Sequence, residues 1–315
     1  MGSTVQVTAR RVIGVRRRGR TGGSLGDRVY TVVAAGVLGA AVLAIVYPLY
    51  FIVVASFSEP DAVNDGRVWA WPEGFTLDGY ERLLGDARVW RGIGNSLLYT
   101  SLATALSVAL ILSAGYALSR KDLPGRNLIT ALFLITLFFD GGMVPRYLVV
   151  KDLGLLNTVW AMVLPNAVAV WNLLIARTYF RSAIPGEVRE AAQLDGASEL
   201  RFFFQVVLPL AKPLVAVLVL IHLVWNWNAF FDALIFLTDE SKFPLQLVLR
   251  NILVQSELSA TGNLSSDLAS YAEQQRVGEL VKYGMIVVST LPLLIVSPFA
   301  QKYLNRGGVA GALKG

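Results

Sequence analysis

The chain has 315 residues, 55% of them hydrophobic and 16% charged, with a mean hydropathy of +0.56 and a formal net charge of +6. That is too apolar for an ordinary soluble domain, and its long apolar runs point to one membrane bundle and not to two soluble domains. The absence of cysteine, a lone histidine (His222) and the lack of GxxxxGK[ST] or HExxH exclude disulfides, His-rich metal sites, an ATP cradle and zinc peptidase chemistry within this chain.

Residues 1–28 carry Arg10, Arg11, Arg16, Arg17, Arg18, Arg20 and Arg28 against one acid, Asp27. They read as a tail held in the cytoplasm by the positive-inside rule, in preference to a nucleic-acid arm. Thr31–Ala55 is the first expected span, about 37 Å long as a helix and too long for a signal-peptide core. A polar loop, Ser56–Gly94, leads to the second span, Asn95–Leu118, and then to a tight basic turn, Ser119–Arg126. Leu128–Phe139 begins the third span, which ends near Asp140–Pro145. Asn157–Tyr179, interrupted by Pro165, is the fourth. Leu214–Leu237 and Lys282–Tyr303 are the fifth and sixth, the last with Pro292 and Pro298 inside. With the N-terminus inside, 18 of the 28 Lys and Arg fall on inner segments and 10 on outer loops. The expectation is an all-α membrane protein with six spans and both termini in the cytoplasm.

Between the fourth and fifth spans lies a polar interlude, Pro185–Pro213. Glu187–Leu194 reads as a short helix stopped by Asp195-Gly196. Ser198 then caps a second helix, Glu199–Val207, with Phe202, Phe203, Val206 and Val207 on its apolar face, and Pro209 and Pro213 break the chain afterwards. The spacing of Glu190-Ala191-Ala192, Asp195-Gly196, Val206 and Leu208-Pro209 resembles the EAA loop of permease subunits in binding-protein-dependent ABC importers. The resemblance implies a type I, MetI-like permease fold in which this stretch docks into a cleft of a cytoplasmic ATPase. Glu190, Ala191, Ala192, Asp195, Gly196, Leu208 and Pro209 would make or shape that coupling contact. ATP and Mg²⁺ would be bound by two separate ATPase subunits, with no cofactor in this chain. The other implied partners are a second permease subunit, an extracytoplasmic sugar-binding protein and the surrounding lipid, with no role for nucleic acid. The plainer alternative is an amphipathic connector packed on its own bundle.

Asn95-Ser96-Leu97, Gly115–Arg120, Phe138–Pro165, Trp225–Leu253 and the tail Gly307–Gly315 carry the resemblance further. They are similar to the carbohydrate-uptake branch, nearer to its LplC-like and alginate-type members than to the maltose-type second permease, which implies import of oligosaccharides or polysaccharide fragments. On this reading residues 29–94 hold the first span and its loop, 95–304 form the core permease domain, and 305–315 form a tail that relatives insert between ATPase subunits. The loop 254–281, with the sequon Asn263-Leu264-Ser265, matches the subgroup only loosely.

Polar side chains inside spans are costly unless they are paired or line a water-filled path. In the fifth span His222, Asn226, Asn228 and Asp232 are such residues, interleaved with Trp225 and Trp227. Positions 225, 228 and 232 would share one face of a continuous helix. Trp225, Asn228, Asp232 and Asn226 are therefore the candidates for the substrate pathway: a ring for a sugar to stack on, amides and a carboxylate for its hydroxyls. An interfacial aromatic belt with interhelical hydrogen bonds is the competing role. Asn166, Trp171 and Asn172 pose the same question on the fourth span, where packing is favoured. An ion-coupled secondary carrier is the alternative transporter, with Asp232 its only intramembrane acid. No span holds a nucleophile, carboxylate pair or metal constellation for an enzyme.

Overall fold

The computed structural model describes residues 25–262, 276, 278–279 and 281–298. Two units divide the chain, residues 1–51 and 52–315. The described part of the first is a single helix, α1 (Leu25–Ala55), whose last turn enters the second. Its side chains before Phe51 are almost all exposed and almost all apolar around the whole circumference, as expected of a helix whose solvent is lipid. The expected tail, residues 1–28, lies outside the described residues up to position 24.

In the second unit, α2 (Pro60–Asn64) and α3 (Asp78–Gly85) interrupt the polar loop. The Ser56 hydroxyl lies 2.7 Å from Tyr80 Oη, and the Phe57 ring stacks between Phe75 and Tyr80. The second expected span proves longer than its sequence suggested: α4 runs Ala87–Ser119, eight residues earlier than Asn95. Asp86 makes the early start possible, because its carboxylate accepts the Arg88 backbone N–H at 2.8 Å and caps the helix.

α5 (Arg126–Phe138) and α6 (Met143–Asp152) meet at a bend of 118°. Gly142 stands at the corner with φ +82°, a conformation side chains avoid. Pro165 splits the fourth expected span into α7 (Val159–Val163) and α8 (Val170–Ala183). Then follow α9 (Gly186–Leu194), α10 (Glu199–Phe202), a π-helical turn (Phe203–Val207) and α11 (Leu208–Leu210). The fifth expected span is broken as well, into α12 (Lys212–Trp227) and α13 (Phe231–Phe236). A 3₁₀ turn (Glu240–Lys242) leads to α14 (Leu245–Gly262), which reaches into the expected loop 254–281, and α15 covers Val281–Pro298. The end of the sixth span and the C-terminal tail, like the sequon at Asn263, lie outside the described residues.

Among the described residues every regular element is helical. α1, α4 and α15 are long and apolar enough to cross a membrane, and the pairs α5–α6 and α10–α12 pass the same criterion if each counts as one bent span. The chain is a multi-pass membrane protein.

α4 is the hub of the second unit. Val108, Ile111 and Leu112 pack with Ala176 and Phe180 of α8, with Phe202 and Val207, and with Leu214 and Leu218 of α12. At Gly115 the two backbones come so close that an added Cβ would lie 2.8 Å from Ala176 Cβ and 3.2 Å from Arg177 N. Near the N-terminal end, Asn95 Nδ2 donates to Ser241 O and Phe243 O, Tyr99 Oη to Lys242 O, and Leu245 N to Ser96 Oγ. Deep between α8 and α12, Asn172 and His222 are both buried and pair with each other at 3.2 Å, which satisfies two costly polar groups.

Candidate functional site

The stretch 185–213 is two short helices joined by a glycine turn and projected from the core. α9 opens after Pro185, whose backbone is extended, and ends with Gly196 at φ +70°. The turn is closed by Gly196 N to Gln193 O (3.0 Å) and Ala197 N to Ala192 O (2.9 Å). Ser198 Oγ accepts from Arg201 N and starts α10. Pro209 does not break the chain as expected. It sits inside α11, and the π-helical turn before it accommodates the N–H that proline lacks. The break falls at Ala211, where the axis turns by 79° into α12.

No residue of α9 is buried, and Ala192 is its one side chain packed on the main core. Leu194 is 90% exposed and Leu200 72% exposed, with Glu190, Ala191, Asp195 and Gly196 also on the surface. Phe202 and Val207 are buried beneath, which fixes the second half of the stretch to the bundle.

The turn after α4 holds this stretch by charge. Arg120 binds Asp122 at 2.5 Å and also pairs with Glu199, while Arg189 Nη2 contacts Asp122 Oδ2 and Glu199 Oε1 at 2.9 Å each. Bonding from Arg120, and then from Arg189, holds the Asp122 carboxyl well below the usual range. At Glu199 partial burial pulls upward, but the bonds from Arg189 and Arg120 outweigh it and the carboxyl is lowered. Both folded values lie below the unfolded ones, about 3.9 for Asp and 4.3 for Glu. The contribution of this four-residue clasp is therefore complete above those values and is lost only as pH falls through the lower folded ones. Hydrogen exchange of α9 and α10, corrected for intrinsic rate, should be constant from about pH 5 to 8 and rise only in stronger acid. Loosening near neutral pH would contradict it. Sequence reading found a basic turn at 119–126 but not its partners, because Arg120 and Glu199 are 79 positions apart.

The pathway candidates lie on a broken helix, which corrects the expectation of one continuous face. α12 ends at Trp227, and Asn228 leaves helical geometry with its amide donating to Val224 O at 2.8 Å. Trp225, Asn228 and Asp232 nevertheless line one cavity of about 480 Å³, together with Phe230, Phe231, Arg146 and Asn166. Asn226 is not part of that lining. It remains on the helical side of the break, where its amide faces Thr104 of α4 at 3.5 Å. Trp227 is buried and donates to Ser289 O.

A polar cluster closes one side of the cavity. Asn166 Nδ2 donates to Asp232 Oδ2 at 2.6 Å, and Arg146 Nη2 donates to Asn166 Oδ1 at 2.8 Å. Arg146 also reaches Asp232 at 3.3 Å, and its Cζ lies 5.7 Å from the centre of the Phe236 ring. Sequence reading noted Asn166 and Asp232 but passed over Arg146, which stands in the polar run following the third expected span. The stretch MVPRY that holds it, on a helix bent back by 118°, gave no periodic signal that it faces Asp232.

Residues 89–307 match the family described as binding-protein-dependent transport system inner membrane component. The chain is 37% identical over 288 residues to protein LplC of Bacillus subtilis, covering 91% of this chain and 96% of that one. It is 34% identical to the polygalacturonan/rhamnogalacturonan transport system permease protein YtcP of the same organism, covering 92% and 99%. Among solved structures, a chain from a bacterial ABC transporter involved in the import of the acidic polysaccharide alginate superposes with a TM-score of 0.79. That chain is 33% identical, with 89% of this chain and 98% of the other covered.

Proposed function

This chain belongs to the binding-protein-dependent transport system inner membrane components, the permease subunits of ABC importers, and from that premise we propose that it forms half of a pathway for oligosaccharides or polysaccharide fragments. It spans the membrane six times with both termini in the cytoplasm, beside a second and different permease. Two cytoplasmic ATPases bind ATP and Mg²⁺, and an extracytoplasmic protein delivers the sugar. The observation that carries the coupling role is the exposure of this helix pair: α9 leaves Leu194 bare and α10 leaves Leu200 bare while Phe202 and Val207 pin the base to the core. A connector that only packed on its own bundle would bury both leucines. Trp225, Asn228 and Asp232 contribute to the pathway, with Trp225, 65% exposed, offering a ring face to a sugar. The relatives named for sugar transport support the carbohydrate class.

ATP-driven closure of the ATPase pair would move α9 and α10 and rock the core between two orientations. Nothing favours the ion-coupled carrier: Asp232 is engaged by Asn166 and Arg146.

The sidedness is tested with single cysteines, which this cysteine-free chain makes unambiguous. Cysteines at Ser119 and Ser198 should be labelled by an impermeant maleimide only from the cytoplasm, and one at Ser241 only from outside. Labelling of Ser198 from outside would end the coupling assignment, because the ATPase is inside.

A further inference from the structure

The cavity at Trp225 has a chemical bias that the pathway reading alone does not require. Its one carboxylate, Asp232, is largely withdrawn: the side chain is 16% exposed and accepts from both Asn166 and Arg146. The Asn228 amide N–H is taken by Val224 O. Arg146 is the more open member of the pair at 37% exposed, and its bonds to Asn166 and Asp232 all use Nη2. Among the described residues neither Nη1 nor Nε has an acceptor, and Nε is buried. The Phe236 ring lies beside the guanidinium and Asn166 holds its edge, so the group is fixed in place with Nη1 unspent. A guanidinium in that state offers a carboxylate the charge-assisted N–H···O bonds of Nη1.

We propose that this cavity selects acidic saccharides, with Arg146 binding the carboxylate of a uronate unit while Trp225 lies against the sugar ring. Asp232 then has a second role. It lends Arg146 a counter-charge that the substrate carboxylate partly replaces, so that the cation is not left uncompensated in the empty pathway. A fully positive site would hold a polyanion too tightly to release it, and a neutral pair binds and lets go. The proposal rests on the saccharide-import reading and narrows its substrate class.

The test uses the assembled importer, with its ATPases, partner permease and binding protein, in proteoliposomes. The probes are short oligouronates cut from alginate and from polygalacturonan, and the same oligomers with their carboxylates reduced to neutral alcohols. The intact importer should take up the acidic probes in preference to the reduced ones. Arg146→Gln should lower the acidic-to-neutral uptake ratio by about tenfold, the loss expected of a charge-assisted pair. Asp232→Asn should move the ratio the other way, through a lower KM for the acidic probe. If Arg146→Gln and Asp232→Asn depress both probes alike, the pair is a structural strut and the proposal falls. Preference for the reduced oligomers overturns it too while leaving saccharide import intact. Uptake of neither probe, with ATPase activity unresponsive to both, would instead remove the import reading beneath it.

Discussion

Replacing Glu190 by alanine, or Gly196 by aspartate, is expected to leave insertion in the membrane intact and to lower sugar uptake at least tenfold. Glu190 is exposed on α9, and among the described residues it has no ion-pair partner, whereas its neighbours Arg189 and Glu199 are committed to the clasp. In the proposed docking, a carboxylate left open on α9 is available to a cation of the ATPase. Once such a pair is desolvated, deleting one member costs about 2–5 kcal/mol, because the survivor remains buried and uncompensated. At 1.4 kcal/mol per tenfold, that suffices to empty the docked state. Gly196 acts differently. Its φ of +70° is left-handed, and a side chain there costs roughly 1–2 kcal/mol before any clash with the partner. Among the described residues nothing lies within 4 Å of an added Cβ, so the loss would come from the turn and from the partner surface. Valine should be worse than aspartate, which enters that region more readily. The measurement is retention of the ATPase on the solubilised permease, with uptake in vesicles. Normal values for both variants would return the stretch to a connector.

Gly115→Val should destabilise the packing of the second unit. The new Cβ would lie 2.8 Å from Ala176 Cβ and 3.2 Å from Arg177 N, and both belong to a neighbouring helix that cannot swing aside as a long side chain would. Separating α4 from α8 pulls apart a core that includes Ile111, Ala176, Phe180 and Val207. It also stretches the bond from Arg177 Nε to Leu118 O, now 3.2 Å. Overpacking of this kind costs about 1–3 kcal/mol. Thermal melting of the purified permease should drop by several degrees, or folded protein should not be recovered. Exchanging the pair, Gly115→Ala with Ala176→Gly, should recover much of the loss. A Gly115→Val protein that melts normally would show that the helices can part without harm. Gly36, with nothing among the described residues within 4 Å of an added Cβ, is the control position.

These two cases divide what the sequence made legible from what it did not. The helix–turn–helix at 185–213 was readable because its signals are local: a glycine after an acidic and alanine-rich run, then a serine cap followed by paired phenylalanines. The apolar runs likewise marked the membrane helices, but not their ends or breaks. The Asp86 cap extends α4 by eight residues through Ala87–Gly94, where Arg88 and Arg91 make the sequence read as polar loop, and the break at Asn228 falls inside what reads as one apolar run. Helical spacing assumed across that break grouped Trp225, Asn228 and Asp232 for a reason the fold does not use. They meet in one cavity because the chain unwinds there, and that same unwinding leaves Asn226 behind against Thr104. Arg146 was hidden for a related reason. Its partners Asn166 and Asp232 are 20 and 86 positions away, brought to it by the bend at Gly142 and the break at Pro165. Local pattern reports which face a residue occupies on a straight helix, and it is silent where helices bend.

α4 has 33 residues, about 50 Å of unbroken helix against a hydrocarbon layer of about 30 Å. It therefore extends beyond the layer, and both of its ends are gripped: Asn95, Ser96 and Tyr99 hold the 241–245 segment, and Arg120 holds Asp122 and Glu199. A rod held in this way carries displacement without absorbing it. Tilting it by about 5° moves one end by about 4 Å relative to the other, close to the separation of two touching carbon atoms. A rotation too small to disturb the packing at Gly115 is thus enough to decide whether two surfaces at the far end meet.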